Sequence, residues 1–336
     1  MMNDSLPLGK LPVDLLAQLL AGAPIKDSRV LYGPGIGLDC AVIDLGERVL
    51  VFKSDPITFA TDDIGWYAVQ VNANDVATTG AAPRWMLATL LLPENASTRA
   101  GVEAIFDQIY RAAQALDISV VGGHTEITYD LHRPILIGTL IGEVDREHLL
   151  APSNMQPGDR LLLTKGVPIE GTALLAREFP HLLRETLNSA ELEQAAHYLY
   201  EPGISVVRDA RIATRAGQVH AMHDPTEGGL AGALWELADA SRRRLVVDPA
   251  AVPVPALSGR ICAALGLNPL ATIASGALLM AVDGKDAQKI CAALEVEGIA
   301  CAEIGHVEEG PAAVLQPDGQ PLPRPARDDI ARVYEK

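Results

Sequence analysis

The chain has 336 residues, with 27 Lys and Arg against 43 Asp and Glu, a formal net charge of −16; an acidic surface of this kind repels a phosphate backbone and argues against generic nucleic-acid binding. Apolar residues make up 49% and charged residues 21%, which suits a folded protein and argues against extensive disorder, and the length is room for about two ordinary domains. The longest apolar stretches, such as 271–282, fall short of the roughly 20 residues that cross a bilayer, the N-terminal residues lack a basic segment followed by an apolar one, and the four cysteines form no C-x-x-C pair and read as reduced and mostly buried, so the expected setting is the cytoplasm, away from any membrane.

Leucines at helical spacing predict a helix over 12–21, with Gly22 as its stop. Two short strands, 40–45 and 49–54, flank Gly46-Glu47-Arg48 and read as a hairpin. A helix over 63–79, capped by Asp62 or Asp63, leads to an apolar strand at 85–92 that Pro93 ends. An amphipathic helix follows at 97–116, then strands at 118–121 and 134–144. The turn-rich stretch 151–159 is the expected domain boundary, dividing the chain into 1–150 and 151–336. The second half alternates again: strand 160–164, a helix from about 170, helix 205–216, strand 219–223, helix 226–240, helix 258–265, strand 276–282, helix 285–297 and strand 300–306. Two mixed α/β halves is the architecture this order supports.

Several carboxylates stand where carboxylates are costly. If Leu45 pairs with Val49, Asp39 lies directly opposite Asp55 at the open end of the hairpin; like charges in that relation destabilise a sheet pair unless a hard divalent cation lies between them, the plainer alternative being two strand-end residues splayed into water. Asp75 shares the helix stripe of Ile64, Ala68 and Val71, so it needs a cation, an arginine or backbone donors, or a loop that satisfies it. Asp224-Pro225-Thr226-Glu227-Gly228-Gly229 joins an apolar strand to a helix; free N–H groups at such a start favour an anion such as phosphate, while an ordinary Asp cap with Pro behind it explains part of the pattern. Gly122-Gly123-His124-Thr125-Glu126 follows a strand as a glycine turn, either cradling phosphate or merely turning, with His124 a base, a ligand or a hydrogen-bonded loop residue. Aspartates and glycines at the ends of four elements are economically explained by ATP and Mg²⁺, since magnesium bridges protein carboxylates and nucleotide phosphates.

These segments resemble the AIR synthetase superfamily. Asn74-Asp75 followed by Gly80-Ala81-Ala82-Pro83 is similar to its Asn-Asp signature, Asp39-Cys40-Ala41-Val42 and Ser54-Asp55-Pro56 to its two strand-end aspartates, and Gly122-Gly123-His124-Thr125 to its glycine turn. His223-Asp224 through Gly229-Leu230 is similar to its Asp-x-x-x-Gly-Gly-Leu element, and Gly266-Leu267-Asn268-Pro269 to a stretch of the HypE-related hydrogenase-maturation branch. The matches keep their order over nearly the whole chain. The resemblance implies a two-domain α/β (α+β) fold whose N-terminal domain gives strands to a dimeric β-barrel, hence a homodimer, with ATP and Mg²⁺ bound near that interface. It implies Asp39, Asp55, Asp75 and Asp224 as metal ligands, and Asn74, Gly122, Gly123, Thr125, Thr226, Gly228 and Gly229 as nucleotide contacts. Family chemistry phosphorylates a carbonyl, amide or phosphate oxygen of a small molecule or a carrier protein, turning it into a leaving group.

Departures bear on the particular reaction. The sequence ends Ala331-Arg332-Val333-Tyr334-Glu335-Lys336, without the cysteine that ends HypE proteins, and Ala274-Ser275-Gly276 replaces their Asn-Glu-Gly. Leu38 stands where thiamine-monophosphate kinase has an aspartate, and His124 replaces the acidic residue of the glycine turn, with Glu126 two residues on. His124 and Glu126 are accordingly the candidates for orienting a water or nucleophile. The reading is an ATP- and Mg²⁺-dependent enzyme of the HypE-related branch; the alternatives are a nucleotide-binding or maturation scaffold without turnover, and a small-molecule kinase resembling thiamine-monophosphate kinase.

Overall fold

A computed structural model describes residues 6, 11–35, 40–58 and 62–335. Period-2 burial and 3.6-period burial alternate along the chain and build two six-stranded sheets, each backed by helices.

The first half carries α1 (Val13–Leu20), β1 (Val30–Tyr32), β2 (Ala41–Asp44), β3 (Arg48–Ile57), α2 (Ile64–Thr78), β4 (Ala82–Pro93), α3 (Arg99–Ala115), β5 (Ser119–Thr128) and β6 (Ile135–Asp145). Its strands lie in the order β1-β2-β3-β6-β4-β5, antiparallel except for β4 and β5, which α3 connects in parallel. Val49 and Val51 of β3, Met86 and Leu90 of β4 and Leu136 and Leu140 of β6 bury one face under α2 and α3. The alternate residues make a second apolar face, on which Trp85 and Leu87 remain 36% and 38% exposed. Within one chain the sheet is open, with β1 and β5 as its edges, and the described residues form no closed barrel.

The second half carries β7 (Arg160–Thr164), α4 (Ile169–Glu178), α5 (Pro180–Leu183), α6 (Ser189–His197), α7 (Val207–Ala216), β8 (Val219–His223), α8 (Gly229–Ser241), β9 (Arg244–Val247), α9 (Ala256–Leu265), β10 (Leu279–Val282), α10 (Ala287–Val296), β11 (Cys301–Glu308), β12 (Ala313–Leu315) and α11 (Ala331–Tyr334). The strand order is β12-β9-β11-β7-β10-β8. Leu161 and Leu163 of β7 point into one core and Leu162 into another, as a strand covered on both faces requires.

The halves meet along α2, which is buried around nearly its whole circumference. Ala77 joins the second half's core, while Ile169, Ala173 and Ile204 join the first. The Asn74 side chain clasps the junction: its Nδ2 donates to Ile204 O at 2.8 Å and its Oδ1 accepts from Val206 N at 2.8 Å. Asp63, expected as a cap of α2, makes no side-chain cap; it pairs with Arg177 of α4.

The hairpin register differs from expectation by one residue. Asp44, not Leu45, pairs with Val49, and Ala41 pairs with Phe52. A one-residue slip exchanges the faces of a strand, so this register does not carry the predicted direct opposition to Asp55, and Asp39 itself lies outside the described residues.

Candidate active site

Lys53 and Asp55, two apart on β3, point to the same side of the sheet, toward α2. The Lys53 ammonium lies 2.9 Å from Asp75 Oδ2 and 3.1 Å from Asp55 Oδ2. Asn72, on α2, pins the two elements: its Oδ1 accepts from Asp55 N at 3.0 Å and its Nδ2 donates to Ala68 O at 2.8 Å. Asp75 is 3% exposed, and a buried carboxylate needs a counter-charge; the lysine supplies it. The sequence motifs single out neither Lys53 nor Asn72. The one available signal for Lys53 is a cation two residues before Asp55 on a strand.

A small crevice is lined by Tyr32, Cys40, Thr78, Thr79, Ala151 and His223, and Cys40 connects it to α2. The Cys40 thiol donates to Asp75 O at 3.4 Å. The segments around Cys40, Asp75 and Asp224 therefore reach one crevice, from the start of β2, from α2 and from the end of β8. The His223 ring is fixed by Asp224 O at 3.0 Å on Nδ1 and by Glu236 Oε2 at 2.9 Å on Nε2, and Asp224 is fully buried. Among the described residues no group of three or more His, Cys, Asp or Glu is gathered closely enough to hold a metal ion.

The start of α8 departs from the expected phosphate cradle. The helix begins at Gly229 rather than at 226. A Cβ on Gly229 would stand 2.7 Å from the carbonyl oxygens of Leu270 and Thr272, so this glycine serves close backbone packing. The Gly228 N–H donates to Asp328 Oδ2 at 2.7 Å, and Thr226 O accepts from Gly229 N at 2.9 Å. The chain's own carboxylate thus occupies a donor that the sequence motif assigns to a nucleotide. Asn74 is likewise engaged, by the backbone at 204 and 206, and reaches a nucleotide only if that clasp opens. Burial pushes the Asp328 carboxyl up to about 6. Burial pushes Glu170, in the first turn of α4, up to about 7; a Ser275 hydrogen bond opposes this, and the carboxylates of Glu227, Asp328 and Asp224 add to it.

Gly122 and Gly123 form no turn. Strand β5 runs through them, with Val121 bulged between the pairs Val120–Met86 and Gly122–Leu87. Gly123 has φ +145°, and a Cβ there would lie 1.8 Å from Ala88 O, so the strand requires glycine at this point. His124 and Glu126 do face the same way: Nε2 and Oε2 are 3.4 Å apart, with Thr125 between them on the opposite side of the strand. They are exposed on the edge strand, with β4 and β6 between them and β3. One chain therefore does not bring them to the Lys53 group.

The AIR synthase related protein N-terminal domain model matches residues 37–144 and the C-terminal domain model matches residues 156–317. The chain is 31% identical over 335 residues to the "Putative hydrogenase expression/formation protein" of Methanocaldococcus jannaschii, covering 92% of this chain and 96% of that one. It is 30% identical over 313 residues to the carbamoyl dehydratase HypE of Escherichia coli, covering 85% and 89%. A crystal structure of hydrogenase maturation protein HypE in complex with ATP has a TM-score of 0.68 at 24% identity, covering 95% of this chain and 91% of that one, a likeness of fold. With both halves matched in order, the chain belongs to the AIR synthase related protein family.

Proposed function

We propose that this chain is a cytoplasmic ATP- and Mg²⁺-dependent enzyme that activates a carbonyl, amide or phosphate oxygen of a small molecule or carrier protein by phosphorylation, related to the carbamoyl dehydratases. The observation that carries the reading is the ion group in which Lys53 holds the buried Asp75 and the half-buried Asp55, next to Cys40, whose thiol donates to Asp75 O and which lines a crevice together with His223. Hard carboxylate oxygens already gathered around one positive charge suit a hard divalent ion. Asp55 and Asp75 would supply the first oxygens for Mg²⁺, which when bound neutralises polyphosphate charge; Asp39 and Asp224 are proposed as further ligands from the sequence resemblance. Lys53 keeps the pair compensated in the ion's absence, and its ammonium can turn toward a phosphate oxygen. Residues 1–150 would form the nucleotide-binding and dimerisation domain and 151–336 the second domain. The open edge at β5 and the apolar face bearing Trp85 and Leu87 support a homodimer, in which His124 and Glu126 of one copy would orient a water or nucleophile.

Calorimetry tests the reading. ATP with Mg²⁺ should bind, and Asp75→Asn should weaken binding at least tenfold; an unchanged affinity overturns the metal role. A scaffold without turnover is favoured by one observation, the filling of the Gly228 donor by Asp328. ATP binding without ATP consumption across candidate acceptors would select that alternative.

A further inference from the structure

Cys291 lies in α10 and Cys301 opens β11, an interior strand between β9 and β7. The link between them is tight, with Ile299 N donating to Leu294 O at 2.9 Å. The two sulfurs are 3.1 Å apart and share a hydrogen bond, yet both cysteines are free thiols. Both are half-buried against the core that contains Leu162, Ile290 and Leu294. A disulfide needs the sulfurs to close to about 2 Å, a movement of about one ångström from this contact. The shared hydrogen bond holds the Cys291 thiol below the usual thiol range and, with burial, pushes Cys301 up. The remaining cysteines differ: Cys40 and Cys262 are buried, and burial pushes the Cys262 thiol up to about 12.

We propose that Cys291 and Cys301 form a redox modification site, a dithiol that is cross-linked by exchange with a low-molecular-weight disulfide of the glutathione class. The Cys291 thiolate attacks one sulfur of that disulfide, forming a mixed disulfide and expelling one small thiolate. Cys301 then loses its proton to solvent and attacks the Cys291 sulfur, forming the internal bond and expelling the second small thiolate. Two protein thiols are oxidised and one small disulfide is reduced to two thiols. The cross-link ties α10 to an interior strand, and the proposal is independent of the nucleotide reading.

The test uses the full chain, equilibrated with oxidised glutathione, unfolded in alkylating reagent and digested. Lys289 precedes both cysteines and no further Lys or Arg occurs before Arg324, so both fall in one tryptic peptide. That peptide should lose both alkylation sites and two hydrogen masses, while Cys40 and Cys262 remain alkylated. Cys301→Ser should trap glutathione on Cys291, and Cys291→Ser should leave Cys301 unmodified. Full alkylation of both cysteines in the parent chain, a persistent mixed disulfide there, or an adduct on Cys301 in Cys291→Ser would overturn the proposal. Thermal melting of each variant checks that it is folded.

Discussion

The molecule accommodates carboxyl groups in and beside its core in two ways. On β3 and α2, Asp55 and Asp75 are compensated by an opposite charge, the Lys53 ammonium. Near α4 and α8, Asp328 takes backbone N–H donors, while Glu170 is pushed toward its neutral form. A group that keeps its charges can exchange one cation for another. A group that holds a proton resists losing it as pH rises. The first is therefore suited to binding an ion, and the second reports on pH.

Breaking the first arrangement should have the largest effect. Lys53→Met leaves a buried carboxylate without this counter-charge, and removing one partner of a buried pair costs about 3–5 kcal/mol. Urea denaturation in chelator should show a loss of that order. If the carboxylates accept a divalent ion, millimolar Mg²⁺ should restore part of the stability in Lys53→Met and less in the parent. Equal responses would remove the distinction between the two groups.

The second arrangement is tested by pH. Glu170 titrates at about 7 when folded, against an ordinary value of 4.5, so the folded state holds its proton more tightly than the unfolded chain. Its contribution is fully present below about 4.5 and is lost as pH rises through about 7. Glu170→Gln should match the parent near pH 4 and exceed it at pH 8 by about 3–4 kcal/mol, an order-of-magnitude figure from the rise of 4.5 to about 7 at about 1.4 kcal/mol per pH unit. Denaturation curves at the two pH values check this, and a constant difference between them would contradict it.

The same contrast shows what is legible in the sequence. Periodicity reveals α2, α3 and most strands, because burial repeats locally. Asp75 is legible as a costly charge for the same reason. Its partner Lys53 is not, because pairing across β3 and α2 depends on tertiary packing. The Gly122-Gly123 segment reads as a turn because a glycine demanded by a bulge and one demanded by a turn look alike in sequence; only the approach of Ala88 O to Gly123 separates them. The Gly228 donor reads as open to a ligand because its partner, Asp328, lies 100 residues away.

His124 and Glu126 provide the smallest effect and the control for both groups. They are 66% and 53% exposed in their side chains, and an exposed pair contributes about 0–1 kcal/mol. His124→Ala should therefore leave stability within about 0.5 kcal/mol, unlike Lys53→Met. Because β4 and β6 separate His124 from β3, the affinity of one chain for ATP and Mg²⁺ should also be unchanged. A loss of ATP turnover that appears only in His124→Ala, with binding and melting preserved, would place this edge in the chemistry of an assembled dimer. A loss of binding instead would mean that the edge reaches the ion group directly, which the separation of the strands in one chain does not allow.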